Sequence, residues 1–409
     1  MEFFRPNARW LGAGALMALS SGFGQTFFIS IYAGEFRAEF GLSDGEWGLI
    51  YMVATLCSAA VLTQTGKLSD FMRARTLAII VLTAFALVCI GVALTPVWWA
   101  LIPLIFGLRF CGQGMLSHLA VTSMAKWFRA GRAKAVATAS LGFSAAEAAL
   151  PALALVMIGW AGWRMSWLFA AGALILVIAP LLWWLLRAER SPRAMAEETA
   201  SAGMAGRHWT RGEMLRGWLF WALLPGLVGP SWIGTVIFFQ IVHLTEVKGW
   251  DIIAYAGLAY PVYSATTILS SFAFGAVADR IGIIRLLPVY LLGWAAACGV
   301  LSLAGDLSGG VLALAIAGIG SGGVTVVGGA LLAELYGTRW LGGIRAISAA
   351  VMVLGSAVGP GVSGMLLDAG VAFDTQLWGM GGYLISVSLL FIWVSLRARL
   401  LLAAPQEVV

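Results

Sequence analysis

Two charged side chains, Arg109 and Glu147, stand deep inside long apolar runs of this sequence. Arg109 lies eleven residues into its run and Glu147 thirteen residues into the next. At 1.5 Å of rise per helical residue those depths are about 16 Å and roughly 20 Å. If the two runs are antiparallel helices, both charges fall near the middle of a bilayer. An unpaired charge there costs several kcal/mol, so a mutual ion pair is the physical expectation. Two chemistries follow. Burial disfavours the charged form of a carboxyl and a nearby guanidinium favours it, so a rearrangement separating Glu147 from Arg109 would load and unload a proton. The alternative is a permanent ion pair that fixes two helices together.

Neutral polar and aromatic side chains recur at helical spacing near this pair. Gln113 is one turn from Arg109 on the same helical face. Ser21, Gln25, Phe28 and Tyr32 follow i, i+4, i+7 and i+11 spacing. Trp232, Thr235, Phe239 and His243 form a second stripe, and Tyr263, Thr267 and Ser270 a third. A polar stripe in lipid faces protein or a water-filled cavity, so these residues either line a solute path or hydrogen-bond between helices. His118, nine residues after Arg109, points to the opposite side and reads as a packing histidine. His208 falls in a polar stretch, and His243 near the end of its apolar run. Cys57, Cys89, Cys111 and Cys298 all lie in apolar segments without metal-ligand spacing, as small buried hydrophobes do. No metal cluster, Ser/His/Asp set or cofactor motif is visible, so neither a cofactor nor an enzymatic reaction is expected. The Gly318 to Gly323 run lacks the Lys-Ser/Thr of a phosphate loop.

The elements that must carry these residues are membrane helices. Hydrophobic residues make up 61% of the 409 and charged residues 11%, against about 25% charged in a soluble domain. So little polar material cannot cover a globule of this size in water. Twelve apolar segments are long enough to cross a bilayer core of roughly 30 Å: 10–33, 46–65, 75–95, 98–124, 134–160, 165–187, 217–242, 252–274, 285–304, 311–334, 344–367 and 376–396. Helix is the expected form, because an open strand in lipid leaves backbone groups unpaired. The first segment reads as a retained helix rather than a signal peptide. Tryptophans at segment ends, such as Trp98, Trp99, Trp183 and Trp184, form an interfacial belt.

Of the 25 basic residues, 21 fall on the side of the N-terminus, three (Arg37, Arg164, Lys248) on the other, and Arg109 within a span. The basic side faces the cytoplasm, which places both termini there. The net charge of +6 is therefore a topology signal rather than a nucleic-acid footprint. Residues 188–216 are the longest polar stretch and divide the chain into halves 1–187 and 217–409, with a short surface helix expected near Arg211 to Arg216. Gly66–Asp70 and Gly275–Asp279 share an offset of 209 residues, as do Pro151 and Pro360. Parallel repeats of this kind place a solute site between halves, near the bilayer midplane.

The loops after spans two and eight resemble the Gly-x-Leu-Ala-Asp-Arg-x-Gly-Arg-Lys signature of the major facilitator superfamily. The second copy carries Gly275, Asp279, Arg280 and Gly282. The first carries Gly66, Leu68 and Asp70, with Phe71 in place of Arg and basic residues at Arg73 and Arg75. Arg109, Gln113 and Gly114 resemble the family's span-four element, and Gly355, Gly359, Pro360 and Gly364 its Gly-Pro element, here in span eleven. The resemblance covers nearly the whole chain. It implies an all-α fold of twelve helices in two six-helix bundles, acting as a monomer in the lipid bilayer. It also implies a cytoplasmic gate at Asp70 with Arg73 or Arg75, and at Asp279 with Arg280. The stretch from Arg109 through Trp127, Arg132 and Gly142 is loosely similar to bacterial monocarboxylate and oxalate/formate carriers, although span eight lacks an arginine. The expected function is proton-coupled transport of a small organic solute, an organic anion first, across the inner membrane. Glu147 and Arg109 would couple protons. Gln25, Phe28, Tyr32, Arg109, Gln113, Trp232, Phe239, His243, Tyr263 and Thr267 would bind substrate. The alternative is efflux of amphiphilic or drug-like compounds.

Overall fold

The computed structural model describes residues 3–128, 131–188 and 202–403, with the side chains of Asp70, Arg132, Ala133 and Ala403 outside the description. The described residues contain helices and turns but no strand. Among the described residues ten helices are long and apolar enough to span a membrane, and a bent pair, Phe4–Gly24 with Thr26–Phe40, makes an eleventh. The remaining expected span, span nine (285–304), is cut short. Its α-helix runs only from Leu292 to Leu303, after a 3-10 turn at Ile283–Leu286. Pro288 lies between these two pieces; it has no N–H to donate and its ring disfavours continuous helix.

The ends of the helices are set by local chemistry. Span two begins at Asp44 with a full capping box: the Glu46 amide donates to Ser43 Oγ at 3.1 Å, and the Ser43 amide donates to Glu46 Oε2 at 2.9 Å. Span ten begins after Asp306, whose carboxylate accepts from the Gly309 amide at 2.8 Å. The helices that extend spans one and seven end at Gly41 (φ 65°) and Gly249 (φ 66°), a left-handed position where a Cβ would be strained. Thr210 and Glu213 form a second capping box that starts the Arg211–Arg216 helix.

The chain divides into two compact units. The first holds residues 1–195 together with 238–261 and 360–368, and the second holds the remainder. The first unit's core includes an aromatic cluster beneath span one. Tyr32 packs on Trp167 at 4.6 Å between ring centroids, Phe28 meets Trp167 edge-on at 5.3 Å, and Phe36 meets Trp47 and Trp163 at 5.3 and 5.2 Å. Such pairs contribute about 0.5–1.5 kcal/mol each beyond area burial. Glycines let helices in this unit touch backbone to backbone. Gly142 sits against the Ala15 carbonyl, and Gly112 against Gly24. In the second unit Gly293 and Gly320 form the same kind of crossing.

Candidate functional site

The site forms where two helices depart from regular geometry. Span one breaks at Gln25 (φ −84°, ψ 159°) after the Gly22-Phe23-Gly24 turn, bending the helix pair by 45°. The amides of Phe28 and Ile29 both donate to the Gln25 carbonyl, at 3.2 and 3.1 Å. Across from the break, span four opens into a π-helical stretch at Phe110–Leu116, directly after Arg109. Such stretches are common at functional sites, because the extra residue per turn re-aims side chains.

Arg109 takes up the groups that the break exposes. Its Nη1 donates to the Gly24 carbonyl at 3.2 Å and reaches Thr26 Oγ1 at 3.4 Å. The guanidinium lies 5.1 Å from the centre of the Tyr51 ring, and Tyr51 and Thr26 share a 2.6 Å hydroxyl contact. The residue is 1% exposed, and its Nε has no partner. Every polar partner of Arg109 is neutral. Among the described contacts, no ion pair joins Arg109 to Glu147. A carbonyl freed by the helix break, a hydroxyl and an aromatic face hold the guanidinium in place.

Glu147 lies half-buried on span five, one residue from Ala146, which packs against Gly22. Its carboxylate is within electrostatic reach of the Tyr260 hydroxyl, which is fully buried beside Ser30. The other residues singled out from the sequence are dispersed. Gln25 Nε2 reaches Ser117 Oγ at 3.4 Å, close to the π-helical stretch that carries Gln113. Phe28 and Tyr32 are 3% and 0% exposed inside the aromatic cluster, and Tyr32 bonds Ser166 Oγ at 2.7 Å. The break at Gln25 means that Ser21 and Tyr32 do not share one continuous helical face. Phe239 packs on Tyr51 and Trp47 in the first unit. In the second unit Trp232 meets Tyr383 edge-on at 5.5 Å, Tyr263 bonds Ser321 Oγ at 2.8 Å, and Thr267 Oγ1 is buried without a partner.

At the basic end, Arg75 stacks on Trp183 at 4.2 Å, and Lys126 donates to the Ser69 carbonyl at 2.8 Å. His118 Nε2 lies 3.4 Å from Ser69 Oγ, in keeping with a packing histidine whose ring nitrogen is satisfied. The Asp70 side chain falls outside the described residues. Asp279 and Arg280 are both exposed, and no ion pair joins them among the described residues. Adjacent residues on a helix diverge by about 100°, which turns their side chains apart.

The opposite end of the first unit holds a charge network that sequence reasoning missed. Arg37 donates to Asp44 Oδ1 at 2.8 Å and to Glu246 Oε2 at 2.9 Å. His243 Nδ1 lies 3.3 Å from Asp44 Oδ2 rather than in a substrate stripe. Asp368 accepts from Ser43 Oγ at 2.7 Å and from the Gly45 amide at 3.0 Å. The network joins the ends of spans one, two, seven and eleven. A signal was present: Arg37 and Glu246 are 209 residues apart, the offset of the internal repeat.

The fold is similar to known transporters. A bacterial homologue of the human lysosomal transporter Spinster, inward-facing and occupied, superposes with a TM-score of 0.70 at 16% identity, covering 96% of both chains. The nucleoside transporter NupG superposes with a TM-score of 0.71 at 14% identity, covering 95% of this chain and 99% of the other. No curated protein matches the sequence. The sequence profile of the major facilitator superfamily matches residues 14–260. A profile match over more than half the chain, on a fold of apolar spanning helices, identifies a multi-pass membrane transporter and not an enzyme: the chain belongs to the major facilitator superfamily.

Proposed function

We propose that this protein is a secondary active transporter that moves a small organic anion across the inner membrane by alternating access, coupled to protons through Glu147. The observation that supports this reading is the Arg109 guanidinium, buried in the first unit with only neutral partners. A buried cation held by a carbonyl, a hydroxyl and a ring keeps its net positive charge, and an anionic solute supplies the missing counter-charge. Gln25 and Gln113, on the same two helices, would orient the solute. Glu147 is the carboxyl that would exchange a proton, because it stands half-buried in span five, the span that follows Arg109. The 21-to-3 division of basic residues supports cytoplasmic termini, and the protein would act as a monomer built from halves 1–187 and 217–409.

Alternating access needs contacts that break on each cycle. The Arg37–Asp44–Glu246 network with His243 and Asp368 is such a set, made of polar groups near water rather than packed apolar surface. At the basic end Arg73 and Arg75, with Asp70, would form the opposing gate, and Asp279 and Arg280 its repeat.

The test is a thermal-shift screen of purified protein against short carboxylates, amino acids, sugars and amphiphilic cations. A solute that binds only the folded state raises the unfolding midpoint by mass action. Stabilisation by carboxylates, lost in Arg109→Ala, is the expected result. Stabilisation by amphiphilic cations alone overturns the anion reading in favour of efflux.

A further inference from the structure

A cavity of about 440 Å³ lies within the second unit, lined from spans seven, ten and eleven. It shares no residue with the site around Arg109. Glycines make the room: Gly328 and Gly329 line the cavity, and a Cβ at either would meet nothing within 4 Å. Much of the wall is hydrocarbon, from Leu227, Leu332 and Met352. One cation lines it, Arg345, one turn into span eleven.

Arg345 donates to the Gly329 carbonyl and so joins spans ten and eleven. A carbonyl is neutral and leaves the guanidinium charge uncancelled. No carboxylate lines the cavity, and no ion pair holds Arg345 among the described residues. Glu334 lies two residues past Leu332 on span ten, a turn of about 200° that carries it off the lining face. Two hydroxyls accompany the cation. Thr325 stands one turn before Gly329 and Ser348 one turn after Arg345. Their protons point to the Ser321 and Ile344 carbonyls, at 2.9 and 3.4 Å, and can rotate to an acceptor.

We propose that this cavity binds an amphiphilic organic anion, with a carboxylate head on Arg345 and an apolar body against Leu227, Leu332 and Met352. A concave apolar site with a few polar groups, of about 300–1,000 Å³, is the usual form of a small-molecule pocket. Such a ligand comes from water as a medium-chain carboxylate or from the bilayer as a fatty acid. The site stands whether or not a solute binds at Arg109.

The experiment is scintillation-proximity binding of radiolabelled octanoate to the full chain, displaced by acetate, butyrate, hexanoate, octanol and oleate. The variants are Arg345→Gln, Gly328→Leu, which fills the cavity from a position with open space, Arg109→Ala, and Arg339→Gln as an exposed basic control. Each buried methylene is worth up to roughly fourfold, so affinity should climb from acetate to octanoate. Loss of the charged partner should weaken octanoate roughly tenfold in Arg345→Gln, and octanol should displace poorly. Gly328→Leu should also weaken binding, and it carries the test if Arg345→Gln fails to fold. Arg339→Gln should bind as the unaltered chain does. Oleate displacing better than octanoate identifies a fatty acid as the ligand; octanoate displacing better than oleate identifies a solute from water. Octanoate binding that is absent, or unchanged in both Arg345→Gln and Gly328→Leu, overturns the proposal. A loss confined to Arg109→Ala also overturns it, by assigning the anion to the first unit, and so does an equal loss in Arg339→Gln.

Discussion

The crossing of spans one and four at Gly24 and Gly112 is the part of the site most sensitive to a single methyl group. A Cβ at position 112 would lie 2.6 Å from Gly24 Cα, 2.9 Å from Gly24 N and 2.9 Å from Ser21 O. All three are backbone atoms, so no side chain can swing aside. Ordinary contact begins at 3.4 Å, which leaves a shortfall of 0.8 Å to be met by separating the two helices. Overpacking of this kind costs about 1–3 kcal/mol. The same displacement is enough to lengthen the 3.2 Å bond from Arg109 to the Gly24 carbonyl beyond hydrogen-bond range. Gly112→Ala should therefore lower the unfolding midpoint and also weaken stabilisation by the carboxylate that binds best. Gly159→Ala in span five is the control, since nothing lies within 4 Å of its added Cβ; alanine there is favoured over glycine by roughly 0.5–1 kcal/mol. Thermal denaturation of the purified variants, with and without ligand, reads both effects. If Gly112→Ala unfolds at the same temperature as Gly159→Ala and binds normally, the close crossing does not set the Arg109 geometry.

Other perturbations test the remaining parts. Asp44→Ala removes the acid shared by Arg37 and His243; both its partners are mostly buried, at 16% and 18% exposure, so a loss of about 1–3 kcal/mol is expected, and an unchanged unfolding midpoint would show the network to be incidental. Glu147→Gln should leave solute binding intact but abolish proton-driven accumulation in proteoliposomes with an imposed pH gradient; accumulation that keeps its full pH dependence would exclude Glu147 as the coupling group. Asp306→Ala removes the acceptor that caps span ten at the Gly309 amide and should cost about 1 kcal/mol, measured by thermal denaturation.

The helical architecture was legible in the sequence because lipid leaves few choices. Backbone groups must be satisfied internally, so an apolar run of about 20 residues is a spanning helix wherever it occurs. The apolar run of span two begins at residue 46 and its helix at Asp44; that of span six ends at residue 187 and its helix at Leu185. The same one-dimensional signal could not resolve span nine, where Pro288 shortens the helix without making the run less apolar.

The two charges within spans were visible in the sequence for a related reason: a charge in an apolar run stands out whatever its neighbours are. Their partners were not visible. Pairing Arg109 with Glu147 assumed unbroken helices and the rule that opposite charges meet in lipid. The fold instead breaks span one at Gln25, and a freed carbonyl and Tyr51 hold the guanidinium. Nothing in the spacing of Tyr51 distinguishes it from a packing aromatic, because which face of span two meets span four is decided by packing between helices. Likewise Tyr32 and Phe28 have the spacing of a lining stripe but are buried against Trp167, and periodicity cannot tell a protein-facing stripe from a water-facing one. The spans, the charges within them and the 209-residue repeat are properties of the linear chain. What each charge touches depends on packing, because side chains from helices far apart in the chain meet only once those helices have packed.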